Sequence, residues 1–196
     1  MTRAEGVDRT THPLFQAGEG GSIPTSALSL RVIPIDVRHA CRLNAAWHSR
    51  LPKIPWSNVV RNRYSACFVA ESEGRCYAVA IWSSPVAGPH AFDLDSTLEL
   101  RRLAVAPDAP KNTCSRMLGV MVRMIVKRFP LVTRLISYQD TAVHTGTIYR
   151  AAGWLPVTTT KASEIHWNNG SRDRAEAQTT APKVRWELQI GPRRAT

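Results

Sequence analysis

From Thr97 to Val105 the chain reads TLELRRLAV, with Leu98, Leu100, Leu103 and Val105 set among Glu99, Arg101 and Arg102. That is close to the alternation of a half-buried strand, and if it is unbroken Glu99 and Arg102 point to opposite faces. Pro107 and Pro110 follow and end pairing, since neither has a backbone N–H. Asn112, Thr113 and Ser115 favour a helix start, and Met117 to Phe129 reads as an almost continuously apolar helix. The same periods parse the rest of the chain. Ser29–Ile35 is a first strand, placed at an edge by Pro34. Asp36 is an N-cap for a helix from Val37 to about Arg50, in which Ala40, Leu43, Trp47 and Leu51 recur at helical spacing, flanked by Asn44 and His48. Two prolines make Leu51–Asn58 a loop. Tyr64–Ala70 and Cys76–Trp82 are β-rich runs around a turn containing ESEG, which predicts a hairpin. Ser83–Ser96 is a Pro/Gly/Asp-rich connection. Pro130 breaks the apolar helix, and Arg134–Tyr138 is a short buried strand. A brief helix from about His144 to Ala152 closes on Gly153. Leu155–Lys161 and Lys183–Ile190 are the last strands, around a polar insertion with an Asn168-Asn169-Gly170 turn signal.

The predicted order is β-α-β-β-β-α-β-α-β-β, an α+β domain with a mixed sheet over residues 29–190. A loosely ordered arm (1–28) precedes it and a basic tail (191–196) follows. No apolar run reaches the length of a membrane span, and the N-terminus lacks the apolar core of a secretory signal, so a cytoplasmic protein is expected. Charge changes the picture more. With 26 Lys and Arg against 15 Asp and Glu, the net charge is +11, which suggests a polyanionic partner. Lys53, Arg61 and Arg63 gather after the first helix, and Arg172, Arg174, Lys183, Arg185, Arg193 and Arg194 near the C-terminus. The four cysteines show no metal spacing and read as free thiols. Cys114 is the one to watch, because a helix N-terminus lowers a thiol pKa, but core packing is the preferred reading.

A strand, a tight polar turn and a buried helix aim free N–H groups and a positive helix end at an anion, so Thr97–Leu118 is the expected place for a phosphate-bearing cofactor. This order, with LAVAP (Leu103–Pro107) and TGTIYRAAGW (Thr145–Trp154), resembles the GCN5-related N-acetyltransferase (GNAT) superfamily. The resemblance implies acetyl-CoA or a related acyl-CoA, held by Leu103, Ala104 and Val105 of the strand and by Lys111, Asn112, Thr113, Cys114, Ser115 and Arg116 of the turn. It also implies Tyr149 as general acid toward the sulfur. The usual glycine positions of the turn hold Thr113 and Ser115 here. A narrower resemblance accommodates that departure. TLELRRL, KNTCSRML, LISYQD and HTGTIYRAAGW together resemble the Mom-type DNA-modification proteins of Mu-like phages, a divergent branch of the same superfamily. What this implies is modification of the N6 amine of adenine in phage double-stranded DNA with a small acyl-derived group, shielding the genome from restriction enzymes. The alternatives are an acetyl-CoA-dependent N-acetyltransferase of a small amine, protein or RNA, and a GNAT domain that only binds nucleic acid.

An adenine amine is a poor nucleophile, so the site must supply a base, a carbonyl polariser or a metal. His48, at the end of the first helix where the resemblance puts the acceptor side of the cleft, is the first candidate base or ligand; by position alone it reads as a surface histidine capping that helix. Asp140, just past RLISY, can accept from the amine or orient His144, or simply cap the next turn. Glu99 or Arg102 can line the cleft from the central strand, and the resemblance implies Arg102; Ser115 is a catalytic candidate as a hydroxyl donor in the turn. No metal is expected; if one such as iron is present, His48, Asp140 and His144 would supply its ligands. Reaching a base within a duplex requires taking it out of the stack. Trp56 and Trp167 are the candidate wedges, with Lys53, Arg61 and Arg63 beside the first and Arg172 and Arg174 beside the second as phosphate contacts.

Overall fold

The computed structural model describes residues 23–48, 53–161 and 181–191. Seven strands, β1 (Arg31–Pro34), β2 (Ser65–Ser72), β3 (Arg75–Ser83), β4 (Thr97–Val105), β5 (Arg134–Asp140), β6 (Leu155–Thr159) and β7 (Lys183–Gln189), form one sheet. Their order is β1-β2-β3-β4-β5-β7-β6, and every neighbouring pair is antiparallel except β4 and β5. Four helices are α1 (Val37–Trp47), α2 (Trp56–Val60), α3 (Thr113–Arg128) and α4 (Thr147–Ala151). The expected α+β architecture is the one found.

β1, with its Pro34, lies at an edge, where a missing N–H costs no ladder bond. The hairpin of β2 and β3 turns on Glu73 and Gly74, both at positive φ (47° and 80°), the geometry whose twist matches the flanking strands. Asp36 caps α1 by accepting the His39 N–H at 3.0 Å. α1 stops at Trp47, earlier than the periodicity predicts, and His48 is its C-cap. α2 falls partly in a stretch predicted as loop. Pro55 occupies its N-cap at φ −63°, so a proline read as a helix breaker instead starts a helix.

The sheet buries both faces. On one, Phe68, Ala80, Trp82, Leu98, Leu100 and Leu135 pack against Met117, Leu118, Met121 and Ile125 of α3. On the other, Val69, Val79, Ile81 and Ala104 pack against Ala40, Leu43 and Trp47 of α1 and Val59 of α2.

Two irregularities in β4 position the site. Its pairing with β3 skips one residue: Leu100 faces Trp82 and Arg102 faces Ile81, leaving Arg101 as a bulge. The bulge cancels one step of alternation. Glu99 opposite Ser83 and Arg102 opposite Ile81 therefore share the α1 face, and the expectation of opposite faces is corrected. The parallel pairing with β5 runs only from Thr97/Arg134 to Leu100/Ser137. Beyond that point β4 continues beside β3 and β5 beside β7, so the sheet splits into a V.

Candidate active site in the split sheet

On the α3 side, the open end of β4 leads into a left-handed turn and then a helix. Asn112 takes φ 67°, a conformation glycine adopts freely and Asn better than most residues. This residue, rather than a glycine, turns the chain into α3. The Thr113 hydroxyl donates to Pro110 O at 2.7 Å and the Ser115 hydroxyl to Asn112 O at 3.1 Å, so both side chains brace the turn. Asn112 makes no side-chain cap. The Thr113 N–H is taken by Pro110 O at 3.3 Å, which leaves the N–H groups of Cys114 and Ser115 for a ligand, at the positive end of a sixteen-residue helix. A cleft of about 250 Å3 opens there, lined by Val105, Ala109 and Pro110, by Asn112–Ser115, and by Thr147, Ile148 and Ala151 of α4. The donor set and the apolar walls fit a phosphate-bearing acyl carrier such as acyl-CoA. Sequence reading missed the α4 wall, because Thr147, Ile148 and Ala151 carry no signal until α4 is folded against α3.

Cys114 lines this cleft, but burial pushes its thiol up to about 11, opposite to the lowering that a helix N-terminus alone would give. Lys111 is exposed at the turn, Leu103 packs against the α3-side core and Ala104 is buried on the α1 side. Arg116, expected beside the cofactor, donates instead to Leu28 O and Leu30 O (3.3 and 3.4 Å), tying down the chain before β1.

Tyr149 of α4 is buried at the apex of the V, its ring stacked on Trp186 with centroids 5.3 Å apart. Its hydroxyl lies 2.9 Å from Ser137 Oγ, which itself reaches Leu100 O at 3.3 Å, the last paired position of β4. Burial is the main reason its pKa rises to about 12.

The α1 face of the V carries the ionisable groups. His48 is half-buried; burial first, then the Arg102 guanidinium and His144, hold its ring below the usual 6.5. Three sequence candidates from distant segments are thus brought together. Burial also lowers Arg102 to about 10, helped by Arg101 and opposed by Glu99. Glu99, only 7% exposed, accepts the Val86 N–H at 2.7 Å and holds the connection before β4 against this face. Its pKa is raised by burial, against the pull of that N–H and of Arg101 and Arg102. Further along, Arg185 and Glu187 of β7 form an ion pair at 2.8 Å.

His144 is positioned from below. Gln139 donates to the His144 carbonyl and accepts the Trp186 indole N–H at 2.7 Å. Asp140 accepts the Ala142 N–H with its carboxylate (3.0 Å) and the His144 N–H with its carbonyl (3.0 Å), shaping the same turn. Among the described residues no three His, Cys, Asp or Glu side chains are grouped to hold a metal ion.

Of the DNA candidates, Lys53, Trp56, Arg61 and Arg63 are exposed. Arg38 stacks over Trp56 at 4.4 Å, and Arg63 pairs with Asp95 at 2.8 Å. Trp167, Arg172 and Arg174 lie outside the described residues. No helix of the described residues is long and apolar enough to cross a membrane.

A sheet split after its fourth strand, with a helix N-terminus on one side of the gap, defines the GNAT acetyltransferase fold, and solved structures agree. The ribosomal-protein-S18-alanine N-acetyltransferase of Escherichia coli matches with a TM-score of 0.58 at 15% identity, over 85% of this chain and 99% of that one. An acetyltransferase from Salmonella typhimurium, solved with its cofactor acetyl-CoA, matches at 0.59 and 10% identity, over 85% and 97%. A ribosomal-protein-alanine N-acetyltransferase from Brucella melitensis matches at 0.59 and 16%, over 82% and 100%. At such identities the likeness is one of fold. No curated protein matches the chain by sequence. The family model does: residues 29–188 match the Mom protein family, and the chain belongs to it.

Proposed function

We propose that this protein is an acyl-CoA-dependent transferase that modifies the N6 amine of adenine in double-stranded DNA with a small acyl-derived group. The observation that supports it most is the two-sided V. Anion-ready backbone donors lie on the α3 side, and a half-buried histidine with a depressed pKa lies on the α1 side, at the end of the helix that leads into the basic segment. Membership of the Mom family and the net charge of +11 favour DNA as acceptor over a small amine.

Asn112–Ser115 would hold the carrier's phosphates, with Val105, Ala109, Ile148 and Ala151 enclosing its arm. When bound, an acyl-CoA supplies a thioester carbonyl as the electrophile. The chain's own groups do the rest. Past Arg102, β4 has no strand partner on the β5 side, and its backbone groups there would orient a carbonyl. The neutral His48 ring accepts the proton that the amine loses on attack. Burial, with Arg102 behind it, disfavours the charged form of His48, and Arg102 adds positive charge where oxyanion character develops. Tyr149, neutral at physiological pH, holds a proton at its hydroxyl for the departing sulfur.

Nucleoside mass spectrometry on plasmid DNA from cells expressing the protein tests this directly. A heavier deoxyadenosine that disappears with His48→Gln is the expected result. Unmodified DNA from cells holding soluble protein overturns the reading and leaves amine or protein acceptors.

A further inference from the structure

The cation–π stack of Arg38 on Trp56 lies on the solvent side of α1 and α2, away from the His48 end of the V, and its surroundings are one-sided in charge. Arg38 and Arg42 are one turn apart on the solvent side of α1, and Lys53 and Arg61 bracket α2; all four are exposed and enter no ion pair among the described residues. Nearby charges that might offset them are already engaged: Asp36 is bound to His39, and Asp95 to Arg63. Trp56 is 44% exposed, yet one ring face is held by the Arg38 guanidinium 4.4 Å away. An aromatic pinned in solvent by a cation is preorganised for a contact, since its rotamer entropy is already reduced.

The ridge is anchored to the site by α1 itself. His48 caps the end of the helix on which Arg38 and Arg42 sit. Ten residues at 1.5 Å each place Arg38 about 15 Å from His48 along the axis. One strand of a duplex rises 3.4 Å per phosphate, so that span covers about four phosphates beside a base delivered to His48. We propose that the α1–α2 ridge is the docking surface for the duplex backbone flanking the target adenine. Arg38, Arg42, Lys53 and Arg61 make its phosphate contacts, and the Arg38–Trp56 stack is its rigid contact point. The assignment rests on the reading of DNA as acceptor.

The test is the affinity for a fluorescently labelled duplex between 50 and 200 mM salt, measured for the wild type, for a ridge variant (Arg38→Gln, Arg42→Gln, Lys53→Gln, Arg61→Gln) and for a control on exposed α3 positions (Arg123→Gln, Lys127→Gln). Each lost phosphate contact lowers the slope of log affinity against log salt by about 0.9. The ridge variant is expected to lose about 3 to 4 of that slope and the control to keep it. A ridge variant with the wild-type slope, or a control losing as much per charge, overturns the docking surface while leaving DNA as acceptor. Wild-type protein with no salt-dependent duplex binding overturns the acceptor reading itself. Should the fourfold change impair folding, judged by a thermal melt, the pair Arg42→Gln, Lys53→Gln carries the same comparison with an expected loss of about 1.8.

Discussion

His48 and Tyr149 are placed in environments that push their protons in opposite directions. Burial, Arg102 and His144 all disfavour a charged His48 ring, so the folded-state pKa lies below 6.5. The neutral ring is therefore fully available above 6.5. As pH falls through the depressed value the ring charges, and both its basicity and its share of stability are lost. The rate should rise with pH along a limb centred below 6.5 and be flat above it. An Arg102→Gln variant should move that limb toward higher pH, which a pH profile of DNA modification will show; a limb that survives unchanged in His48→Gln excludes His48 as the base. Tyr149, raised to about 12, keeps its proton at any working pH. Because Ser137 retains Leu100 O as a partner, Tyr149→Phe should cost only about 1 kcal/mol in a urea melt. If the hydroxyl is the acid, the same change should slow the reaction about 100-fold or more. A loss of rate no larger than the loss of stability would leave Tyr149 as a core aromatic and nothing else.

The elements show what the sequence made legible and where it stopped. The strand TLELRRLAV and the hairpin around ESEG are local patterns and stand within a residue or two of where their periods put them, while the apolar helix begins four residues before Met117, at the start signal Thr113. The bulge at Arg101 is not a local pattern. Nothing in LELRRL marks one arginine as extra, because the extra residue is defined only against the register of β3. Missing it reversed the face assigned to Glu99 relative to Arg102. α2 was hidden for a related reason, since a proline reads as a breaker until the residues after it are seen to wind from it. The turn into α4 is a further case. Gly146, read only as part of a motif, takes φ 76°, and a Cβ there would collide with the Trp186 ring and Gln139 Oε1. Gly146→Ala should therefore destabilise by about 2 kcal/mol or more, from left-handed strain and displacement of the two residues that support His144. At Gly153, also at positive φ (78°) but with open space around it, the same change should cost only the strain, about 1–2 kcal/mol. Equal losses in the two urea melts would show that the Trp186–Gln139 support is slack.

At the scale of the whole molecule, the sheet is a partition with one opening. The carrier cleft is built from α3, α4 and the turn between β4 and α3, whereas His48, Arg102 and the α1–α2 ridge belong to the other side. No residue lining the cleft comes from α1 or α2. Ligands of the two sides should then stabilise the fold independently, each by mass action on its own site. At a hundred times its Kd, acetyl-CoA adds about 2.7 kcal/mol. For a chain of this size that raises Tm by roughly 5 to 10 °C. The rise should be the same in the ridge variant as in the wild type, because the substitutions leave Asn112–Ser115 and the α4 wall untouched. An Asn112→Val change should abolish it, since a β-branched residue cannot hold φ 67° without strain and the first-turn N–H groups would turn away. A melt that responds to acetyl-CoA in the wild type but equally in Asn112→Val would place the carrier elsewhere. No response in either would mean that the braced, glycine-free turn has closed the GNAT fold's carrier site, and that the V serves a donor of other chemistry.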